Sequence, residues 1–189
     1  KEADIYHLEA DIAQLGMDQR KVNMLARDTF PKMGFKPPVA VHHHMLMGLS
    51  EPPKTDAKGA DAAIAKKMSK SNPNSAIFMT DTPDEIKKKF KKAYCPEGQV
   101  EDNPVLEYCK YIIFERFENV TINRPEKFGG DIIFKSYDEL EQAFAQKALH
   151  PMDLKTMAAE KINELLEPVR KHVEEDANAK ALLEKVNSF

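Results

Sequence analysis

Lys67-Met68-Ser69-Lys70-Ser71 closes a polar stretch in which, from Ser50 to about Ala60, the residues are mostly Pro, Lys, Asp and Gly. Two lysines stand three residues apart among small or flexible side chains, a composition that makes a poor core element. It suits a mobile clamp on a polyphosphate, because ammonium groups are compact point charges that meet phosphoryl oxygens without fixed geometry. An exposed lysine loop is the plain alternative on these five residues alone. Read as a clamp, the run makes the residues before it a nucleotide-binding segment, and the rest of the chain is consistent with that.

Upstream, residues 3–15 carry Ile5, Leu8, Ile12 and Leu15 at helical spacing up to Gly16. Asp18 can cap a following helix that presents Val22, Leu25 and Ala26 on one face. After Pro37-Pro38, Val39-Ala40-Val41 reads as a short buried strand leading into His42-His43-His44. Ala76-Ile77-Phe78-Met79 reads as a short strand or extended segment. Downstream, Thr82-Pro83-Asp84-Glu85 is a capping box with proline at the first helical position. Helices are expected at about 83–94, 103–114, 137–147, 151–174 and 177–187, the third started by Ser136 and Glu139. Val120-Thr121-Ile122 and Ile132-Ile133-Phe134 flank Phe128-Gly129-Gly130 and can pair. Composition shifts near residue 80, so the expected organisation is a mixed α/β segment over 1–80 and a mainly helical one over 81–189. Residues 1–80 supply too few strands for a complete parallel sheet, and they look like the second half of a nucleotide-binding domain.

With 189 residues, 42% hydrophobic and 31% charged, the chain has the composition of a soluble globular protein. A formal net charge of −3 carries no global nucleic-acid signature, so any such surface must be a local patch. Cys95 and Cys109 are the only cysteines, too far apart for a C-x-x-C pair and suited to a reducing cytosol. The apolar run Tyr111-Ile112-Ile113-Phe114 is far too short to span a bilayer.

Gly16-Met17-Asp18-Gln19-Arg20-Lys21, Lys67–Ser71, Lys92-Ala93-Tyr94-Cys95, Arg124-Pro125-Glu126-Lys127-Phe128-Gly129-Gly130-Asp131 and His150-Pro151-Met152-Asp153-Leu154-Lys155 follow one another in that order. In this combination the chain, from about residue 3 to residue 175, resembles the C-terminal portion of the archaeal and eukaryotic cytosolic tyrosyl-tRNA synthetases, a class I family. The resemblance implies the second half of a Rossmann-like catalytic domain followed by a helical anticodon-binding domain. The His-x-Gly-His motif of the family's first half does not occur here.

The implied activity is ligation of tyrosine to tRNA(Tyr) through tyrosyl-adenylate, with ATP as substrate and Mg2+ accompanying it. By that resemblance Lys67 and Lys70 act on the departing pyrophosphate, and Gly16, Asp18, Met68, Ser69 and Ser71 lie on ATP. Asp4 accepts the tyrosine phenol, and Gln19 also touches the amino acid. Arg20 and Lys21 hold the first base pair of the tRNA acceptor stem. Phe128 and His150 stack on the first anticodon base, a guanine, whose edge Asp153 reads. Each has a plainer reading: Asp18 as a helix cap, Asp4 as a surface helix residue, Arg20 and Lys21 as solvated cations, Phe128 as a core residue under a turn, and His150 and Asp153 as a helix start. Three adjacent histidines on a strand cannot all face one ion, so no protein-bound metal is expected. The five lysines of 87–92 read as a solvated face rather than a docking surface, with a weak phosphate-steering role compatible. The family also implies a homodimer in the cytoplasm with no membrane partner. A non-catalytic tRNA-binding half, or one partner of a split enzyme, is the rival, although a pure binding module has no use for an ATP clamp.

Overall fold

Ile5, Leu8, Ile12 and Leu15 do not share one helix. In the computed structural model, which describes residues 2–54, 56, 60–68 and 72–188, helix α1 is Glu2–His7 and the chain then turns into strand β1, Ile12–Gly16. Glu9 takes a positive φ of 50° in the turn, and the Leu8 and Ala10 N–H groups close it on the Asp4 and Ile5 carbonyls. A 3-10 turn, Met17–Gln19, leads into α2, Arg20–Thr29, which returns the chain to strand β2, Val39–His43. The strands pair in parallel from Ile12 opposite Val39 to Gly16 opposite His43. Parallel strands need such a crossover, and pairing with β2 overrides the helical spacing of residues 12–15. Ala13, not Ile12, turns inward to join Ile5, Ala26 and Phe30 in a small core. The other face of the ribbon leaves Ile12, Val39 and Val41 exposed.

The polar stretch before Lys67 holds more order than its composition suggested. Helix α3, Ala60–Lys66, runs up to Lys67, which bridges in antiparallel fashion to Met47. Lys1–Met47 with Pro52–Lys67 form one compact unit; Gly48–Glu51 with Met68–Phe189 form the second.

In the second unit the expected extended segment at 76–79 pairs as a strand with none of the described residues. A 3-10 turn, Pro73–Ser75, precedes it, and the Leu49 N–H donates to the Ser75 carbonyl. The helix starts fall where local chemistry puts them. Thr82 and Glu85 cap α4, Pro83–Lys92, reciprocally. Asn103 caps α5, Pro104–Tyr108, which runs on into a π-helical turn, Cys109–Ile113. Strands β3, Val120–Ile122, and β4, Ile132–Phe134, pair antiparallel as their spacing implied. Ser136 caps α6, Tyr137–Ala145, while the Glu139 carboxylate accepts from the Lys135 N–H. Helix α7, Pro151–Glu175, packs on α4, whose Ile86 and Phe90 are fully buried, and α8 is Ala177–Asn187. Pro168 interrupts the hydrogen-bond ladder of α7, and Leu166 is the last buried residue along it.

One buried ion pair ties the segment before α4 to that helix. Asp81 Oδ2 accepts from Lys89 Nζ at 2.5 Å and from the Phe78 N–H at 2.8 Å; Lys89 also sits 4.6 Å over the Phe78 ring. Arg170 of α7 donates to the Asp81 carbonyl at 3.1 Å and to Asn163 Oδ1 at 2.7 Å.

Candidate functional site

Parallel strands carry their ligands at the carboxyl ends, and in the first unit that end is the pair Gly16 and His43. Gly16 is required by close approach: a Cβ there would lie 2.9 Å from Asp18 Oδ1 and 3.4 Å from the Met45 side chain. The missing side chain lets the Asp18 carboxylate fold back over the strand end. Asp18 Oδ2 accepts from Gln19 Nε2 at 3.0 Å and faces Lys67 Nζ at 3.6 Å. Asp18 is 16% exposed and Lys67 47% exposed, so the lysine reaches in from solvent. Gly16, Asp18 and Gln19 from the first strand end thus meet Lys67, which lies far along the chain, at one point.

Arg20 and Lys21 begin α2 on its exposed side. Lys21 Nζ donates to both Asp61 oxygens, at 3.0 and 3.2 Å, a pairing of α2 with α3 that sequence reasoning did not anticipate. At this exposure it contributes little to stability. Asp4 lies on the exposed side of α1, whose buried residue is Ile5. Met68 belongs to the second unit, where its sulfur accepts from the Tyr108 hydroxyl at 3.6 Å. Ser69, Lys70 and Ser71 lie outside the described residues.

The histidines separate as alternation on a strand requires. His42 Nε2 lies 3.1 Å from the amide nitrogen of Asn23, and His43 Nδ1 lies 3.1 Å from the His44 carbonyl. Asn23 is fully buried on α2 and its Oδ1 has no partner. The sequence held one sign of this pair, an amide set into the apolar stripe of Val22, Leu25 and Ala26. Among the described residues no cluster of three His, Cys, Asp or Glu side chains could hold a metal ion, and no described helix is long and apolar enough to cross a membrane.

A second pocket, of about 440 Å³, lies wholly within the helical unit and brings together Phe128, His150 and Asp153 with Arg124 and Lys147 on its walls. Phe128 is 61% exposed, on a turn closed by Gly129 at φ 97°, so the ring is not a core residue. His150 caps α7: its Nδ1 accepts from the Met152 N–H at 3.1 Å, which puts the ring proton on Nε2, free to donate outward. Asp153 follows in the first helical turn, half-buried. Arg124 carries the geometry between these segments. Its Nε donates to the Gly130 carbonyl at 3.0 Å and its Nη1 to the Ala148 carbonyl at 3.2 Å, tying the Phe128 turn to the approach to His150. The pocket therefore offers an aromatic face, a carboxylate acceptor and an imidazole donor, the groups that read an unstacked base.

Two buried thiols complete the helical unit. Burial pushes Cys109 well above the ordinary thiol range and raises Cys95, partly offset by the hydrogen bond from Asn103. Neither is activated for nucleophilic chemistry.

The chain as a whole is similar to known proteins. A tyrosine–tRNA ligase of Thermococcus sibiricus is 45% identical over 97% of this chain and 53% of its own length. One from Saccharolobus solfataricus is 45% identical over 98% of this chain and 52% of its own length. The tyrosyl-tRNA synthetase of Pyrococcus horikoshii, whose crystal structure contains L-tyrosine, superposes with a TM-score of 0.84 at 42% identity, covering 97% of this chain and 53% of that one. The chain thus spans about half the length of the curated relatives it matches. The family model for class I tRNA synthetases of the tryptophan and tyrosine type matches residues 1–167, and the chain belongs to that family.

Proposed function

We propose that this chain supplies the ATP clamp and the anticodon-reading part of a tyrosine–tRNA ligase. The observation that carries the reading is the meeting of Gly16, Asp18, Gln19 and Lys67 at the carboxyl end of a parallel ribbon. In this reading the catalytic share lies in residues 1–80 and the anticodon-binding domain in residues 81–189. Tyrosine carboxylate attacks the α-phosphorus of ATP and pyrophosphate departs; the adenylate then passes its tyrosyl group to a tRNA hydroxyl. Asp18 accepts the ribose hydroxyls over the backbone of Gly16, and Gln19 and Asp4 orient tyrosine. A carboxylate that accepts the phenol rejects phenylalanine, because without the hydroxyl its polar partner is stranded.

Lys67 and the ribose compete for the same carboxylate. Seating ATP frees the ammonium to meet the charge growing on the pyrophosphate, together with Lys70, while Met68, Ser69 and Ser71 line the nucleotide. An interaction that strengthens as charge develops raises the rate rather than the ground-state affinity. Mg2+ enters as the counterion of the ATP phosphates. Arg20 and Lys21 meet the acceptor stem, and Phe128, His150 and Asp153 read the guanine of the anticodon. The intact enzyme is proposed to be a cytoplasmic homodimer.

The test is ATP–pyrophosphate exchange by this chain alone and mixed with a second chain carrying the remaining half of a relative. The chain alone should give no exchange, because half a site loses the positioning of both reactants. The mixture should exchange, and Lys67→Ala should slow it by a factor corresponding to about 2–4 kcal/mol. Robust exchange by the single chain, or a mixture indifferent to Lys67→Ala, overturns the assignment.

A further inference from the structure

The lysines of α4 are not one solvated face. Lys89 is buried on Asp81. Lys88 and Lys92 line a hollow that also contains Asp81 and Glu85, so carboxylates answer them. Lys87 and Lys91 stand one helical turn apart on another side of α4, where they line a groove of about 180 Å³ against Met152, Lys155 and Thr156 of α7. Among the described residues, Glu160 is the one carboxylate lining that groove. Lys155 is half-buried, and its ammonium donates to the Lys91 carbonyl in the last turn of α4 at 3.3 Å, which fixes it at the groove wall. Like charges at i and i+4 are unfavourable in a helix, and here a third cation is brought up beside them. Three lysines on two helices line it against a single carboxylate among the described lining residues, which leaves the groove net positive.

The place of this groove identifies the anion. The first two turns of α7 send His150 and Asp153 to the base-sized pocket and Met152, Lys155 and Thr156 to the groove. The pocket and the groove are thus both built on the same first turns of α7. We infer that the Lys87–Lys91–Lys155 groove holds RNA backbone phosphates next to the base bound beside Asp153. This rests on the proposed role of the Phe128, His150 and Asp153 pocket. Its contribution is affinity and register, not sequence choice, because phosphates carry no sequence information.

The experiment measures binding of a labelled anticodon stem-loop RNA, with guanine or adenine at the first anticodon base, to the full chain across a salt series. In Lys87→Ala/Lys91→Ala the slope of log affinity against log salt should fall by about 0.7–0.9 for each phosphate that the lysines no longer neutralise. The guanine-over-adenine preference should stay as in wild type. Lys88→Ala/Lys92→Ala, of identical charge change, should leave the slope in place, and circular dichroism should show both variants folded. An unchanged slope in the first variant, as an acidic protein partner would give, overturns the groove; so does an equal loss in both variants. Wild-type protein with no preference for guanine instead overturns the pocket reading, and the inference falls with it.

Discussion

Replacing Asp81 with alanine should be among the costliest single changes in the helical unit. Its carboxylate is 8% exposed and its partner Lys89 10% exposed, so the ion pair is shielded from water. Alanine removes a charge-assisted hydrogen bond of 2.5 Å and the acceptor of the Phe78 N–H at 2.8 Å, and it leaves the Lys89 ammonium without its counter-charge. Breaking a buried pair from one side costs about 3–5 kcal/mol, mostly through the stranded charge. With a urea slope of about 2 kcal/mol per molar, the midpoint should fall by about 1.5–2.5 M. Far-UV circular dichroism during urea titration is the appropriate readout, since most helix lies in this unit. Lys89→Met in the Asp81→Ala background should recover a large part of the loss by removing the stranded ammonium. A midpoint shift below about 0.5 M, or a double variant no better than Asp81→Ala, would refute the reasoning.

Two further outcomes are expected. Asp153→Ala should reduce the preference for guanine at the first anticodon base by about 1–3 kcal/mol, the worth of one good base-edge contact in DNA readout; an unaltered preference in stem-loop binding would make Asp153 a helix-start residue only. Burial pushes the Tyr108 phenol up from 10 to about 12, so the folded state favours its neutral form. That stabilisation is full below pH 10 and is lost as pH rises through about 12, so urea midpoints should decline over this window and Tyr108→Phe should flatten the decline. Parallel curves for the two proteins would contradict it.

Helix starts were legible because they are local: Thr82 with Glu85 and Ser136 with Glu139 satisfy their own backbone groups, whatever the rest of the chain does. The β3–β4 pair was legible for the same reason, two short strands around one turn. Residues 8–16 were not, because Ile12 and Leu15 keep helical spacing with Ile5 and Leu8. Only β2, more than twenty residues on, makes residues 12–16 a strand. Helix α3 was hidden by its polar surroundings, although Ala60, Ala62, Ala63 and Ala65 are strong helix formers and were the available signal. At the sites, the residue types at Gly16, Asp18 and Lys67 could be read from sequence, but their meeting could not. The Asn23–His42 contact, the Lys21–Asp61 pair and the two-carbonyl grip of Arg124 depend on tertiary placement, and no local pattern encodes them.

Pro168 divides α7 into two mechanical regimes. Ahead of it, Leu154, Met157, Ala158, Ile162 and Leu166 press the helix into the core, and opening any turn there means opening the unit. Behind it Arg170 still lies against the unit, its side chain 12% exposed, but the turns beyond hold no fully buried residue among those described, and α8 shows Leu182 and Val186 to solvent. A proline deletes one rung of the ladder, so fraying that begins at the far end stops at this joint before it reaches the buried turns. Arg170, two residues past the proline, spans the joint by donating back to Asn163 and to the Asp81 carbonyl. The proline works as a firebreak: the tail can loosen while the turns that present His150 and Asp153 keep their shape.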